Sequence, residues 1–454
     1  MKDLTIRHVT EAAGGQYFGP SQLLDTEITA ITTDSRSVES GCLFVPIVGN
    51  RVDGHSFIPA VMEAGALVTL SERPLDGACP YILVASSREA IKAIARYYLA
   101  SLEIPVIGIT GSVGKTSTKE AIYAVLKEKY RVLKTEGNFN NELGLPLTIF
   151  RLREGDEMAV LEMGISDFGE MSRLADIARP HTAVITNIGT AHLQNLKDRD
   201  GVLKAKTEIL DYVRDNGHIV LNGDDDKLVT VGPHKGISPI FYGFSPENNI
   251  YADSIKSLGL RGSRFVIHME GEAIPAKVSI PGQHMIANAL AAAAVGRLYG
   301  LSWEEICRGL LGLSTISGRM RLIESENYLI VDDCYNANPV SMKAALDVMK
   351  QADGRRVAIL GDMKELGDNE RAFHREVGAY AASCGVSLLI LAGPLCAAMA
   401  EGAGEADPSL EVVYYETTEE LVKNMKRYLR PGDTVLVKAS HSMGFERVLE
   451  ALKN

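Results

Sequence analysis

Nowhere in the 454 residues does an apolar run reach the roughly 18 residues that a membrane-crossing helix needs, so a helical span is excluded. The opening stretch MKDLTIRHVT has no apolar h-region, and a cytoplasmic location is the expectation. The six cysteines (Cys42, Cys79, Cys307, Cys334, Cys384, Cys396) include no C-x-x-C pair and no clustered histidine partners. Neither a zinc site nor a disulfide framework is signalled, and reduced thiols are expected. Positive charge is not in excess either. A formal charge of −11 argues against a general nucleic-acid or membrane-surface binder, yet it leaves room for a local basic pocket for phosphates. Internal repeats, low-complexity tracts and an N-K-x-D guanine-reading run are also missing, the last arguing against a GTP-binding switch.

What the chain does contain is ordinary globular composition, 46% hydrophobic and 23% charged, over a length that calls for two to four domains. Its pattern is α/β throughout, and we divide it into residues 1–99, 100–314 and 315–454. In the first unit, TEITAITTDSR, GCLFVPIV and YILVA read as strands and FIPAVMEAGA as an amphipathic helix. A helical spacing at Ile91, Ile94, Ala95 and Tyr98 in SREAIKAIARYYLASL then carries the chain onward.

The central unit repeats strand, loop and helix. IPVIGIT, MAVLEMG, TAVITNIG and HIVLNGD are short continuous apolar runs, as expected for a doubly wound parallel sheet with functional residues at the carboxyl ends of its strands. PIFYGF, RFVIHME and AKVSI, between about 240 and 281, are expected to form an antiparallel extension before the helix MIANALAAAAVGRLYG, which should end at Gly300. After the turn-rich GLSTISGRMRLIES, the runs YLIVDD, RRVAILGD, SLLILAG, EVVYYE and DTVLVKAS can build a separate parallel sheet.

One stretch carries explicit chemistry. ITGSVGKTST, Ile109 to Thr118, looks like a phosphate-binding loop, but the common form G-x-x-x-x-G-K-[ST] would need a glycine where Ile109 stands. The context is nonetheless right, with an apolar strand before the loop and helical spacing at Ala121, Ile122, Val125 and Leu126 after it. Glycines at 111 and 114 free backbone N–H groups to face an anion, Lys115 can neutralise phosphate charge and Thr116 can ligate Mg²⁺. A magnesium nucleotide also wants a carboxylate on a neighbouring strand, and LEMG supplies Glu162. His192 follows the next strand in NIGTAHL. Taken alone, Glu162 and His192 each have an ordinary structural reading; their position at successive strand ends beside the loop raises the functional one.

The short loop TGSVGKT, followed in order by TEGNFNNELGLPLTI, LEMG, TNIGTAHL, KAKTEIL, PGQHMIANALAA, SGRMRL, DDCYNANP and GDMKELG, resembles the Mur ligase family, ATP-dependent amide-forming enzymes of peptidoglycan precursor synthesis. The N-terminal run TTDSRSVESGCLFVPIVGNRVDGHSFI is similar to a UDP-sugar-binding module found in part of that family; a folate polyglutamating ligase, the rival with the same short loop, gives no reason for it. The resemblance implies a small N-terminal α/β UDP-binding domain, a central P-loop ATPase domain and a C-terminal Rossmann-like domain. DDCYNANP and GDMKELG further imply UDP-N-acetylmuramoyl-tripeptide and D-Ala-D-Ala as substrates, with ATP and Mg²⁺ as cofactors and a monomer as the working unit.

Carried over by position, the resemblance implies that Gly111, Ser112, Gly114, Lys115, Thr116 and Ser117 hold ATP phosphates, and that Thr116, Glu162, His192 and Lys206 serve the metal. Lys206 would act as a carbamate, since a bare ammonium would repel Mg²⁺. Asn288 would face the adenine, with Arg319, Asp333 and Asn336 reaching the nucleotide from the C-terminal side. Ser35 and Arg36 would contact the UDP portion, and Asn140 and Asn141 the muramoyl-peptide. Lys115, His192 and Lys206 form the implied catalytic set. Three positions depart from the usual family pattern: Ala439 and His441 in place of glycine and arginine, and Met285 in place of a frequent asparagine.

Overall fold

Three β-sheets follow one another along the chain in this computed structural model, which describes every residue except 2, 50, 51, 78, 191, 316 and 454. The first contains β1 (Gln16–Phe18), β2 (Ile31–Thr32), β3 (Leu43–Phe44), β4 (Val68–Ser71) and β5 (Tyr81–Leu83), in the order β1-β5-β4-β3-β2. Only β1 and β5 pair antiparallel.

The second sheet contains β6 (Val106–Thr110), β7 (Val132–Lys134), β8 (Met158–Glu162), β9 (Thr182–Ile185), β10 (His218–Asn222), β11 (Pro239–Gly243), β12 (Ile250–Ser257), β13 (Ser263–Met269) and β14 (Glu272–Val278). Their order is β14-β13-β12-β11-β10-β9-β6-β8-β7. Every residue of β6, β8 and β9 is buried, as the continuous apolar runs imply for parallel strands covered on both faces. The pleat divides them cleanly. Val106, Ala159, Leu161, Ala183 and Ile185 pack toward the N-terminal domain with Ile94 and Tyr98, whereas Ile107, Ile109, Val160 and Val184 pack on the opposite face with Ala289 and Leu290.

The antiparallel extension differs from expectation in one strand. PIFYGF forms β11, which pairs parallel with β10 and continues the main sheet. Residues 223–238 between them are long enough for the crossover a parallel pair requires. The antiparallel part is β12-β13-β14. Strand β12, IYADSIKS, escapes a reading by hydrophobicity because only Ile250 and Ala252 are buried and its second half is exposed.

In the third sheet, β15 (Arg321–Glu324), β16 (Tyr328–Asp332), β17 (Arg356–Gly361), β18 (Leu388–Ala392), β19 (Glu411–Tyr415) and β20 (Asp433–Lys438) lie in the order β15-β16-β20-β17-β18-β19. The five strands read from the sequence are parallel, and β15 adds an antiparallel edge within RLIES.

Two helices join the units. Ser87–Ser101 buries Ile91, Ile94, Ala95 and Tyr98 as its spacing predicts, and the Tyr98 hydroxyl donates to Leu152 O at 2.8 Å, clamping the N-terminal domain to the central one. Gln283–Leu298, alanine-rich and buried almost all round, packs against Lys115–Leu126; Gly300 follows its end with φ +73°. The core on that face runs without interruption into Val331, Leu346 and Leu436 of the C-terminal domain.

Candidate active site

The loop between β6 and the helix Lys115–Leu126 is held from the next strand. Val113 O accepts from Thr186 Oγ1 (2.6 Å) and Asn187 Nδ2 (2.9 Å), and Val113 N donates to Asn187 Oδ1 (2.9 Å). Ser112 Oγ accepts from Gly189 N at 2.9 Å. Gly111, at φ +148°, lies so close to Thr186 that a Cβ would collide with its hydroxyl, and Gly114 sits in the left-handed region at φ +84°. Close packing and a positive φ thus make both glycines obligatory. No side chain caps the following helix, which leaves its first-turn N–H groups for an anion. Lys115 Nζ curls back onto Gly111 O at 2.8 Å. Burial lowers its pKa; Glu162 opposes that shift and Arg319 adds to it.

Glu162 ends β8 with only 2% exposure. Its Oε1 accepts from Asn140 Nδ2 (2.9 Å) and Thr116 Oγ1 (3.3 Å), while buried Oε2 has no hydrogen-bond partner among the described residues. The cation near Oε2 is Lys119 Nζ, at 3.7 Å, itself buried and 3.3 Å from Glu120. Sequence reasoning missed Lys119, because a lysine one turn into a helix reads as a solvent-facing residue. Among the described residues no cluster of three or more His, Cys, Asp or Glu side chains could hold a metal on its own.

Lys206 is 2% exposed on the helix Arg199–Thr207, and among the described residues its amine has no hydrogen-bond or ion-pair partner. Burial drives its pKa well below the usual lysine value, and the charge of Lys115 pushes the same way. His192 is half-buried, with its Nδ1 3.2 Å from Glu365 Oε2 of the C-terminal domain. Burial lowers its pKa, Glu365 opposes, and Lys206 and Lys115 lower it further, so these three nitrogen groups share one neighbourhood.

A cavity of about 260 Å³ opens beside the loop, between the central and C-terminal domains. Gly114, Ser117, Asn288, Arg319 and Asp333 all line it. Asn288 Oδ1 is engaged by Thr118 Oγ1 at 2.9 Å, and its Nδ2 meets only the Met285 sulfur at 3.4 Å. Arg319 lies over the Tyr335 ring at 4.1 Å, with its Nε buried and without a hydrogen-bond partner among the described residues. Asp333 Oδ2 accepts from Lys438 Nζ at 2.5 Å, and Asp333 Oδ1 accepts from Met320 N at 3.2 Å. Lys438, fully buried at the end of β20, is a second residue the sequence reading did not single out, although it lies in the DTVLVKAS run. The Asn336 carbonyl holds Lys438 at 2.9 Å, and its exposed side chain accepts from Ala337 N at 2.9 Å. Asn338 caps the helix Pro339–Met349.

A second cavity, of about 590 Å³, lies on the other side of Lys115 and is lined by Asn140, Asn141, Ser166 and His192. Ser35 and Arg36 lie apart from both cavities. Arg36 is 86% exposed and forks onto Asp34 at 2.9 and 2.8 Å, holding that carboxyl down at about 2.

Family models match along nearly the whole chain: the Mur ligase family catalytic domain over residues 27–109, the Mur ligase middle domain over 109–296 and the Mur ligase glutamate ligase domain over 318–441. The UDP-N-acetylmuramoyl-tripeptide--D-alanyl-D-alanine ligase of Bacillus subtilis (strain 168) is 38% identical, covering 99% of this chain and 98% of its own. The chain belongs to the Mur ligase family. Among solved structures, MurF from Acinetobacter baumannii superposes with a TM-score of 0.91 at 30% identity over 99% of both chains. MurF ligase from Thermotoga maritima, solved in complex with ADP, gives 0.83 at 30% identity over 93% of this chain and 97% of that one. The three-domain α/β architecture is that of these structures. Of the departures in this Mur ligase, His441 is exposed, 3.5 Å from Glu446 and tilted against Tyr335, while Met285 supplies the sulfur that meets Asn288.

Proposed function

We propose that this Mur ligase joins D-alanyl-D-alanine to UDP-N-acetylmuramoyl-tripeptide, consuming ATP and forming ADP. The observation that carries the reading is the position of the phosphate loop between two cavities. Gly114 and Ser117 face the smaller one and Lys115 the larger, so a nucleotide in the first would present its terminal phosphate to a carboxylate in the second. The tripeptide carboxylate oxygen attacks the γ-phosphorus, the bond to ADP breaks, and an acyl phosphate forms. The dipeptide amine then attacks the acyl carbon, phosphate leaves, and the amine loses a proton. Lys115 and the loop N–H groups stabilise negative charge through the first step. Asn140 and Asn141 orient the peptide end, and Arg319 and Asp333 hold the nucleotide from the C-terminal domain. The units 1–99, 100–314 and 315–454 are assigned to UDP-sugar, ATP and acceptor in turn. Contacts of Ser35 and Arg36 with the UDP portion would require that substrate to bridge from the first sheet to the larger cavity.

Magnesium fits this donor set. Glu162 Oε2 is a buried carboxylate oxygen without a hydrogen bond, Thr116 Oγ1 is its neighbour, and Mg²⁺ is ordinarily held by one or two carboxylates with substrate phosphates and water. When bound, the ion would supply positive charge to the phosphoryl oxygens. Lys206 fits the carbamate role: burial and the charge of Lys115 disfavour its ammonium form, the neutral amine can add CO₂ with loss of a proton, replacing a cation by an anion, and His192 stands near enough to feel its charge. Among the described residues no helix is long and apolar enough to cross a membrane, and we place the enzyme in the cytoplasm, where ATP and UDP-linked substrates are made.

Phosphate release with ATP, UDP-muramoyl-tripeptide and D-Ala-D-Ala, with the pentapeptide product identified by mass spectrometry, tests the reading. Turnover instead with UDP-muramoyl-dipeptide and lysine or diaminopimelate would assign the enzyme one step earlier.

A further inference from the structure

Tyr242, at the carboxyl end of β11, has no part in the roles described above. Its side chain lines the smaller cavity and the residue is 2% exposed, yet among the described residues its hydroxyl makes no hydrogen bond. The hydroxyl is not among the sealed-off polar atoms of the described residues, so it is open to whatever occupies the cavity it lines. Neighbouring polar groups are already committed. Asn222 donates to Thr186 O and accepts from Asp224 N, both at 3.0 Å, and Asn187 is spent on Val113. Among the described residues the uncommitted donors lining this cavity include the Tyr242 hydroxyl, Arg319 Nε and Asn288 Nδ2, which meets a thioether.

Sheet order gives the distance. Going outward from the phosphate loop, β6 is followed by β9, β10 and β11, so Tyr242 stands three strands away, about 14 Å at ~4.8 Å per strand. A nucleotide with its terminal phosphates on the loop and its body along this edge brings its nucleoside to Tyr242. We propose that Tyr242 is a specificity residue of the nucleotide cavity, its hydroxyl hydrogen-bonding the heteroatom edge of the purine base. The proposal rests on the nucleotide reading above. Burial and the nearby Asp225 and Asp224 keep the group a neutral phenol, able to donate or accept.

Tyr242→Phe removes the hydroxyl and keeps the ring that packs in the core. Titration calorimetry of the full chain should show ADP binding weakened about three- to tenfold, the value of one hydrogen bond, with inorganic tripolyphosphate unaffected. The same factor should be lost for 2′,3′-dideoxy-ADP. Unchanged ADP affinity would overturn the proposal, as would a loss shared by tripolyphosphate, which marks damage to the loop. A penalty that vanishes with the dideoxy nucleotide would move the contact to the ribose and overturn it too. Failure of the unaltered protein to bind ADP at all would instead remove the nucleotide reading, and this assignment with it.

Discussion

His192 and Glu365 meet across the cleft between the central and C-terminal domains, with Nδ1 and Oε2 3.2 Å apart and both backbones in the left-handed region, at φ +57° and +63°. Two non-glycine residues held there mark positions fixed by their surroundings. The pair itself is wet on the Glu365 side, and exposed ion pairs contribute little to stability. Glu365→Gln should therefore leave the melting temperature within about 2 °C of the unaltered protein by scanning calorimetry. A much larger fall would mean that domain closure depends on this contact.

Lys115 should behave differently. Its amine is buried against the carbonyl of Gly111 and, among the described residues, has no carboxylate in direct contact, so in the proposed reading its value lies in binding phosphate. Lys115→Ala should lower kcat by at least about a hundredfold, the scale for removing a group that stabilises transition-state charge. Binding of UDP-muramoyl-tripeptide, followed by calorimetry, should change only a few-fold, because most of that ligand would lie beyond Lys115. Loss of both together in a folded protein would contradict the separation of the two cavities.

The strand runs and the glycine loop were legible because burial on both faces leaves a continuous apolar signature, and because the GKT sequence has few other uses. Strand β12 was not, since its exposed half removes that signature. Direction was harder still: PIFYGF reads the same whether its partner runs parallel or antiparallel, and only the length of the preceding connection separates the two. In the site, Glu162 Oε1 joins Thr116, read as a metal residue like itself, to Asn140, read as a substrate residue, a link that no sequence pattern gives. Lys119 and Lys438 escaped because burial of a lysine depends on what packs over it, which no local pattern encodes. Thr186 and Asn187 were read as the end of a strand, and their grip on Val113 becomes visible only when β9 lies beside β6.

The buried imidazoles give the protein a pH dependence of defined sign. His374 is wholly enclosed; its Nε2 accepts from Met363 N at 2.9 Å and its Nδ1 lies 2.7 Å from Glu370 O, so the neutral ring holds the GDMKELG loop. Burial lowers its pKa from the ordinary 6.5, outweighing the carbonyl and carboxylates of Glu370 and Asp362. Below about 6.5 the unfolded chain takes up this proton more readily than the folded one. His181, His218 and His284 shift the same way through burial. Stability should be fully present above pH 6.5 and fall as pH drops below it, seen as a declining melting temperature between about pH 6.5 and 5. The His374 ring resonances should not titrate above that range, and a melting temperature that rises on acidification would contradict the assignment.

Lys206 supplies the most discriminating test of the proposed metal site. An amine on a buried residue, with no partner among the described residues and a strongly lowered pKa, is costly to retain as a structural lysine, whereas as a carbamate it would bring negative charge beside His192 and Lys115. Lys206→Ala removes that charge and leaves a space about the size of a small carboxylic acid. Activity should fall by two orders of magnitude or more, on the scale of losing a metal-site group, and return in part with acetate or formate in the assay. Lys204, exposed on the same helix, provides the control, since Lys204→Ala changes a side chain that faces solvent. Its kcat should be unchanged and insensitive to either acid. An active Lys206→Ala enzyme, or one inactive and deaf to both acids while still folded and binding ADP, would exclude an anion at this position and leave the buried amine acting as itself.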